Sequence, residues 1–271
     1  MISIFFHQKI SDRLKKYQIQ TNFKQKMIIA SAQTRPTRFD INKNLLAHYR
    51  LIELAGKNGA NLLLFPELSI SGYERERAGE FAFEPNDKRL DKLRRLSAKN
   101  QIVVVAGAPF LMANNLYIGA FIIQPDETIS VYTKQFLHGE ENNYFAASAD
   151  YNPQIRIKNE QFSLAICADI NNPQHPENAK KMGATIYMAG IFFEPHEMTK
   201  AHLILSGYAK TQSINVLMSN FAGCPYGLSG GGKSAFWNKK GELVASLNGS
   251  EQGILFIEKK GENWKEKIIP R

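Results

Sequence analysis

Three apolar runs in this sequence end on reactive side chains. "NLLLFPELSISGY" sets Glu67 directly after a buried run, "VYTKQFLHGEENNYF" sets Lys134 at the close of another, and "FSLAICADI" ends a third on Cys167. Glu140 and Glu141 follow shortly after Lys134. Taken singly, each has an ordinary reading: a Glu or Lys after a strand usually meets water, and a Cys in an apolar strand usually packs. In order, at successive strand ends, they make a set with chemical meaning. A thiol with a pKa near ~8.5 is a weak nucleophile until a base or a positive neighbour activates it. Glu67 can be that base and Lys134 that neighbour, a set suited to attack on a carbonyl or nitrile carbon. His138, close to Lys134, leaves a Cys–His pair open, ranked below the Glu–Lys–Cys set. Cys224, in the loop "FAGCPY", lacks a strand-end setting and is the weaker thiol. The histidines, at 7, 48, 138, 175, 196 and 202, show no HExxH or paired ligand spacing, so no metal is expected.

The segments that carry these groups alternate between strand and helix. "MIIASAQ" is a compact apolar run, and Asp40 stands at the N-cap of a helix with Ile41, Leu45, Tyr49 and Ile52 at helical spacing, closing at Gly59. Strands are expected at 61–67 and 102–110, with a charged helix over 86–99 between them. "LYIGAFIIQP" and "ISVYTK" form a hairpin about the turn "PDET". Beyond the 162–169 strand, a helix near 176–181 leads to "ATIYMAG", a helix over 196–213 to "INVLMSN", and three strands follow: "SAFWN", "LVASL" and "GILFIE". About eleven strands and four helices in mixed order argue for one layered α/β domain.

Composition narrows the function classes. The chain has 271 residues, 44% of them hydrophobic and 22% charged, ordinary for a globular protein with a sizeable core. No run approaches the roughly 18 apolar residues of a membrane span, and "MISIFF" is too short for a secretory signal, so a cytoplasmic protein is expected. Two cysteines in a chain of this length read as reduced thiols. The net charge of +9 is uneven: residues 1–26 hold six Lys and Arg against Asp12 alone, so a basic N-terminal extension precedes a nearly balanced domain from 27 to 271. Nucleic acid is therefore not an expected partner, although a non-catalytic polyanion-binding protein, working through that extension, is the rival class.

Gly227 to Ser234 reads G-x-x-x-x-G-K-S, a formal phosphate-loop match. Such a loop needs a strand before it and a helix starting right after the Lys-Ser pair, so that backbone N–H groups converge on phosphate. Here "FAGCPY" precedes and the hairpin-like "AFWNKKGELVASL" follows. The expectation is a flexible Gly-rich loop entering a strand.

"FPELSISGY", "YTKQFLHGEENNYF" and "ICADI", in that order and spacing, resemble the three motif regions of the nitrilase-superfamily carbon–nitrogen hydrolases, over roughly residues 27–258. The resemblance implies a single-domain α/β fold, a four-layer α-β-β-α sandwich, paired into homodimers or larger homo-oligomers through outer helices. It implies Glu67 as general base, Lys134 as the cation that steadies an oxyanion together with the backbone N–H of Ala168, and Cys167 as nucleophile. Glu141, whose setting "ENNYF" fits the second family glutamate where Glu140 is one place off, would orient Lys134 and the substrate. The implied reaction is hydrolysis of a small linear amide through a thioester, with no cofactor. The sequence departs from many members after the nucleophile: "CADINNPQHPE" offers Asn171, Asn172 and Pro173 in place of an Arg or an aromatic followed by Pro. Amidase, N-carbamoyl amidase, nitrilase and acyl-transferase action all stay open on the sequence.

Overall fold

The computed structural model describes residues 26–267. The basic extension expected over 1–26 lies outside the described residues, apart from Lys26, whose ammonium pairs with Glu258 at 2.8 Å. Among the described residues thirteen strands form two sheets. The first runs β13-β12-β1-β2-β3-β4-β5 and the second β11-β10-β9-β8-β7-β6. In the first sheet β1 (Met27–Gln33), β2 (Leu62–Leu64) and β3 (Val103–Met112) are parallel neighbours. The hairpin β4 (Asn115–Ile123) and β5 (Ile129–Thr133) extends one side, and β12 (Gly253–Lys260) with β13 (Asn263–Glu266) the other. The second sheet has the same plan. Its parallel centre is β7 (Glu160–Ile166), β8 (Ile186–Gly190) and β9 (Asn215–Ser219); β6 (Ile155–Ile157) edges one side and β10 (Ala235–Trp237) with β11 (Leu243–Ser246) the other.

Parallel neighbours need crossovers, and each crossover is a helix laid on an outer face. Helix α1 (Ile41–Lys57) links β1 to β2, with Asp40 accepting the Lys43 N–H as the expected N-cap. Between β2 and β3 lie a one-turn α2 (Ala78–Phe81) and α3 (Asp91–Asn100), which starts later than expected because Asp87 caps a 3-10 turn over Lys88–Leu90 first. Helices α4 (Gln174–Lys181) and α5 (Met198–Thr211) cross between β7, β8 and β9. Ile28, Ala30, Leu63 and Val104 of the first sheet pack on Leu45, Ile52 and Leu93 of the helices. The alternate residues Ile29, Leu62, Leu64 and Val105 face inward and pack in one core with Leu164, Met188 and Leu217 of the second sheet. The strand period of two thus sends one face to helix and the other to sheet. Several bonds tie the sheets directly: Ser31 Oγ donates to the Met218 carbonyl at 2.7 Å, Ser219 Oγ to that of Ala32 at 2.5 Å, and Lys259 of β12 pairs with Glu160 of β7.

The layered α-β-β-α expectation holds, with corrections of detail. β6 is a three-residue edge strand and β13 buries only Trp264 among its four residues, so neither carries a readable hydrophobic pattern. The strand expected at 61–67 ends at Leu64, and Glu67 opens a turn instead. Lys233, within the Gly-rich segment, is exposed at φ +54°, and the chain enters β10 two residues later with no helix between.

Candidate active site

Four of the side chains singled out from the sequence meet between the sheets. Lys134 follows β5 directly; its ammonium is fully buried, 2.7 Å from Glu67 Oε1 and 2.8 Å from Glu141 Oε2. Glu67 reaches it from the β2 end because the first turn beyond β2 is pressed between two glycines. A Cβ on Gly107 of β3 would lie 2.3 Å from the Leu68 nitrogen, and one on Gly190 of β8 would lie 2.9 Å from the Phe65 carbonyl oxygen. Side chains at either position would push Glu67 away. Glu141 comes from a 3-10 turn over Gly139–Asn143 and accepts the His138 N–H at 2.7 Å and the hydroxyl of Tyr73. Its neighbour Glu140 points outward to Arg75 at 2.9 Å.

Cys167 leaves β7 with φ +42°, in the left-handed region where a residue with a Cβ is strained. That turn carries its thiol out of the sheet, where Sγ lies 3.5 Å from the Phe192 carbonyl oxygen and faces the Glu67 carboxyl. Ala168, the second residue of the 3-10 turn Cys167–Asn171, is buried there. The first N–H groups of such a turn have no partner within it, so they are available to an incoming oxygen. Glu67 Oε2 is buried and has no hydrogen-bond partner, an acceptor left open beside the thiol.

The electrostatics follow from three charges in a dry place. Burial pushes the Glu67 carboxyl up to about 7, with Lys134 opposing the rise and Glu141 adding to it. Burial would raise Glu141 too, but Lys134, the His138 N–H and the Tyr73 hydroxyl hold it below the usual carboxylate range. Burial disfavours the Lys134 ammonium, yet Glu67, Cys167 and Glu141 together keep it well above its ordinary value. The Cys167 thiol is pushed far up, by burial first and by Glu67 second, so the resting thiol is protonated. With one cation between two carboxylates, the site holds a proton most readily on Glu67.

A cavity of about 350 Å³ opens over Cys167. Tyr73 and Phe192 form its apolar wall, packed ring to ring at 5.0 Å, and Arg75, Glu140, Glu194 and Glu197 its polar rim. Among the described residues Glu194, His196 and Glu197 bring ligand atoms within 4.8 Å of one another, but Glu197 is already used locally, accepting the Glu194 N–H at 2.9 Å. His138 lines the cavity through the turn that holds Glu141. Cys224 lies exposed and is not among the residues that line this cavity. Tyr73, Phe192 and Asp169 touch the cluster or its supports and carried no assignment from the sequence. Tyr73 and Asp169 sit inside the quoted motifs, "FPELSISGY" and "ICADI", and that placement was the available signal. Phe192 had none, since both its ring and its backbone carbonyl reach the site from the loop that follows β8.

With this geometry in view, comparison with known proteins is decisive. The family model described as carbon-nitrogen hydrolase matches residues 28–266. The chain belongs to the carbon-nitrogen hydrolase family. Within that family it is 26% identical over 241 residues to a glutamine-dependent NAD(+) synthetase of Thermotoga maritima, which covers 85% of this chain but only 41% of that protein. It is 25% identical over 283 residues to the N-carbamoylputrescine amidase of Arabidopsis thaliana, covering 91% of this chain and 93% of that one. Among solved structures, an amidase of the nitrilase superfamily from Nesterenkonia AN1 superposes with a TM-score of 0.78 at 24% identity, covering 86% of this chain and 90% of the other. The likeness to that structure establishes the nitrilase-superfamily fold. The chain spans less than half the length of the NAD(+) synthetase relatives that it matches.

Proposed function

We propose that the protein hydrolyses a non-peptide C–N bond in a small linear amide, with Cys167 as nucleophile. The observation that carries this is the buried Glu67–Lys134–Glu141 cluster beside a strained cysteine at the floor of a small cavity. Glu67 Oε2 takes the thiol proton as Sγ bonds to the amide carbon. The C=O pair moves to oxygen, and Lys134 with the Ala168 N–H steadies the oxyanion; one such donor contributes about 3–4 kcal/mol in known cases. Collapse breaks the C–N bond, the Glu67 proton goes to the leaving ammonia or amine, and a thioester remains. Glu67 then takes a proton from water, hydroxide adds to the thioester, and the C–S bond breaks to give carboxylic acid and thiol. Glu141, paired with Lys134 and held by Tyr73, keeps the ammonium aimed throughout. No step requires a cofactor.

A second reading, hydrolysis of an N-carbamoyl amine, draws on the rim. Glu194 and Glu197 make no ion pair among the described residues, so a distal ammonium on the substrate would find carboxylates waiting. The Arabidopsis relative bears the name N-carbamoylputrescine amidase and aligns over nearly its full length. Acyl transfer shares the same thioester and differs in the acceptor, an amine in place of water; nitrile hydrolysis reaches that thioester through a thioimidate, to which water adds before ammonia leaves.

The test is release of ammonia or amine from a panel of linear amides, N-carbamoyl amines and nitriles. It compares wild type with Cys167→Ala at equal folded concentration. Turnover confined to wild type supports the thiol mechanism, and the best substrate chooses between the readings. Turnover surviving in Cys167→Ala would sink it. The same reading includes pairing of copies through outer helices, where Leu203 of α5 is 70% exposed, checked by sedimentation. It also places the enzyme in the cytoplasm, where reducing conditions keep a working thiol free. Among the described residues, no helix is long and apolar enough to cross a membrane.

A further inference from the structure

Behind the cysteine lies a further buried carboxylate, Asp169, that the proposed chemistry does not use. Asp169 is fully buried and has no ion-pair partner among the described residues. It accepts four hydrogen bonds instead. Oδ1 takes the backbone N–H groups of Gln135 and Phe136 at 3.0 and 2.8 Å, and Oδ2 takes the Ile166 N–H at 2.8 Å and the Tyr132 hydroxyl at 2.7 Å. Tyr132 in turn meets His175 Nε2 at 2.9 Å, and His175 Nδ1 meets the Tyr187 hydroxyl at 2.8 Å. Since Tyr132 gives its proton to the carboxylate, His175 Nε2–H donates to Tyr132 and Nδ1 accepts from Tyr187. The donors divide by origin. Gln135 and Phe136 directly follow Lys134 in the segment that leaves β5 of the first sheet, while Ile166, the last residue of β7 in the second, directly precedes Cys167. A fully saturated carboxylate therefore straddles the gap between the two reacting segments.

We infer that Asp169 is a positioning residue, clamping the segment after Lys134 to the strained turn of Cys167 so that ammonium, Glu67 and thiol share one geometry. The inference rests on the proposed thiol chemistry only for its turnover arm. A clamp is needed because φ +42° at Cys167 is not a conformation the backbone keeps unaided, and the Ile166 N–H anchored on Oδ2 fixes the peptide immediately before it. Four acceptor sites are a property of a carboxylate, since an amide offers one oxygen and an NH₂ that cannot accept. In Asp169→Asn, an amide oxygen kept toward Gln135 and Phe136 orphans the Ile166 N–H, and the reverse orientation orphans the other two.

Asp169→Asn tests this against Tyr132→Phe, which leaves all three backbone contacts in place. Expected for Asp169→Asn is a fall in kcat of about 100-fold, the scale of a 1 Å misplacement of reacting groups. KM should stay within about threefold, as for loss of an interaction made in the transition state. Tyr132→Phe should lower kcat far less, even if both variants lose thermal stability. Alkylation of Cys167 by chloroacetamide needs no substrate and is followed peptide by peptide, because Cys224 is exposed and reacts as well. It should slow in Asp169→Asn and need higher pH. An alkylation rate equal to or faster than wild type in folded Asp169→Asn overturns the clamp, whereas turnover surviving in Cys167→Ala overturns only the thiol mechanism. Should Asp169→Asn not fold, hydrogen exchange on wild type decides: the amides of Ile166, Gln135 and Phe136 are expected to be slow and to open together. Loop-like exchange at any one of them overturns the inference.

Discussion

The inner cluster and the rim of the cavity are built from the same residue types, one basic residue among carboxylates, and behave in opposite ways. Inside, Lys134 stands between Glu67 and Glu141 with all three side chains at zero exposure. At the rim, Arg75 pairs with Glu140, whose side chain is 73% exposed. In the dry cluster one proton more or less decides the charge balance, so Glu67 is pushed up to about 7 and the neighbouring thiol higher still. At the rim water screens the pair, and exposed pairs of this kind contribute about 0–1 kcal/mol. Adjacent residues in the sequence, Glu140 and Glu141, fall on opposite sides of this divide. Burial, more than residue type, makes the chemistry.

The contrast can be broken at several places. Cys167→Ala should remove turnover by about 10⁴-fold or more while the fold survives, as loss of a nucleophile does elsewhere; product release at equal folded concentration checks it. Lys134→Met leaves two buried carboxylates uncompensated and should destabilise by about 3–5 kcal/mol, whereas Arg75→Met should shift stability by no more than about 1 kcal/mol. Paired urea titrations measure both, and equal effects would refute the contrast.

Glu67→Gln should lower kcat by about 10²–10⁴-fold, the range for a lost general base, and yet stabilise the fold at pH 8. The carboxyl titrates near its ordinary 4.5 when unfolded and at about 7 when folded. Between those values the folded state holds the extra proton, so stability falls as pH rises and stays lower above 7. Gln removes that loss. Melting temperatures of both proteins at pH 5 and pH 8 test it, the gain appearing only at the higher pH. In wild type, kcat/KM should rise through about pH 7 as Glu67 ionises. The smallest effect is expected at Lys233→Ala, which touches the exposed Gly-rich loop and should leave turnover within about twofold, as surface substitutions generally do.

Much of this architecture was legible because it obeys local rules. Asp40 caps α1 where an Asp ahead of a periodic apolar face should, and the buried runs of β1, β3, β7, β8 and β9 are continuous, as strands covered on both faces must be. β13 was hidden because a strand that buries one Trp has no period to read. Of the site, Glu67, Lys134 and Cys167 stood out as reactive types at strand ends, and Glu141 only through the resemblance of "ENNYF" to the family motif. Tyr73, Phe192 and Asp169 did not, because a tyrosine, a backbone carbonyl and an aspartate gain a role only through what lies across the fold.

The sequence by itself determined most of the central strands and the long helices, which thiol stands at a strand end, and that the Gly-rich run enters a strand. These depend on period, capping and turn chemistry within a few residues. Only the tertiary structure decided that Glu67 and Glu141 flank one buried ammonium, that Cys167 turns through φ +42° toward Glu67, and that one carboxylate at Asp169 bonds to both sides of the site. Those outcomes depend on distance and dielectric between residues 7 to 100 positions apart in the chain, and burial is set where the two sheets meet.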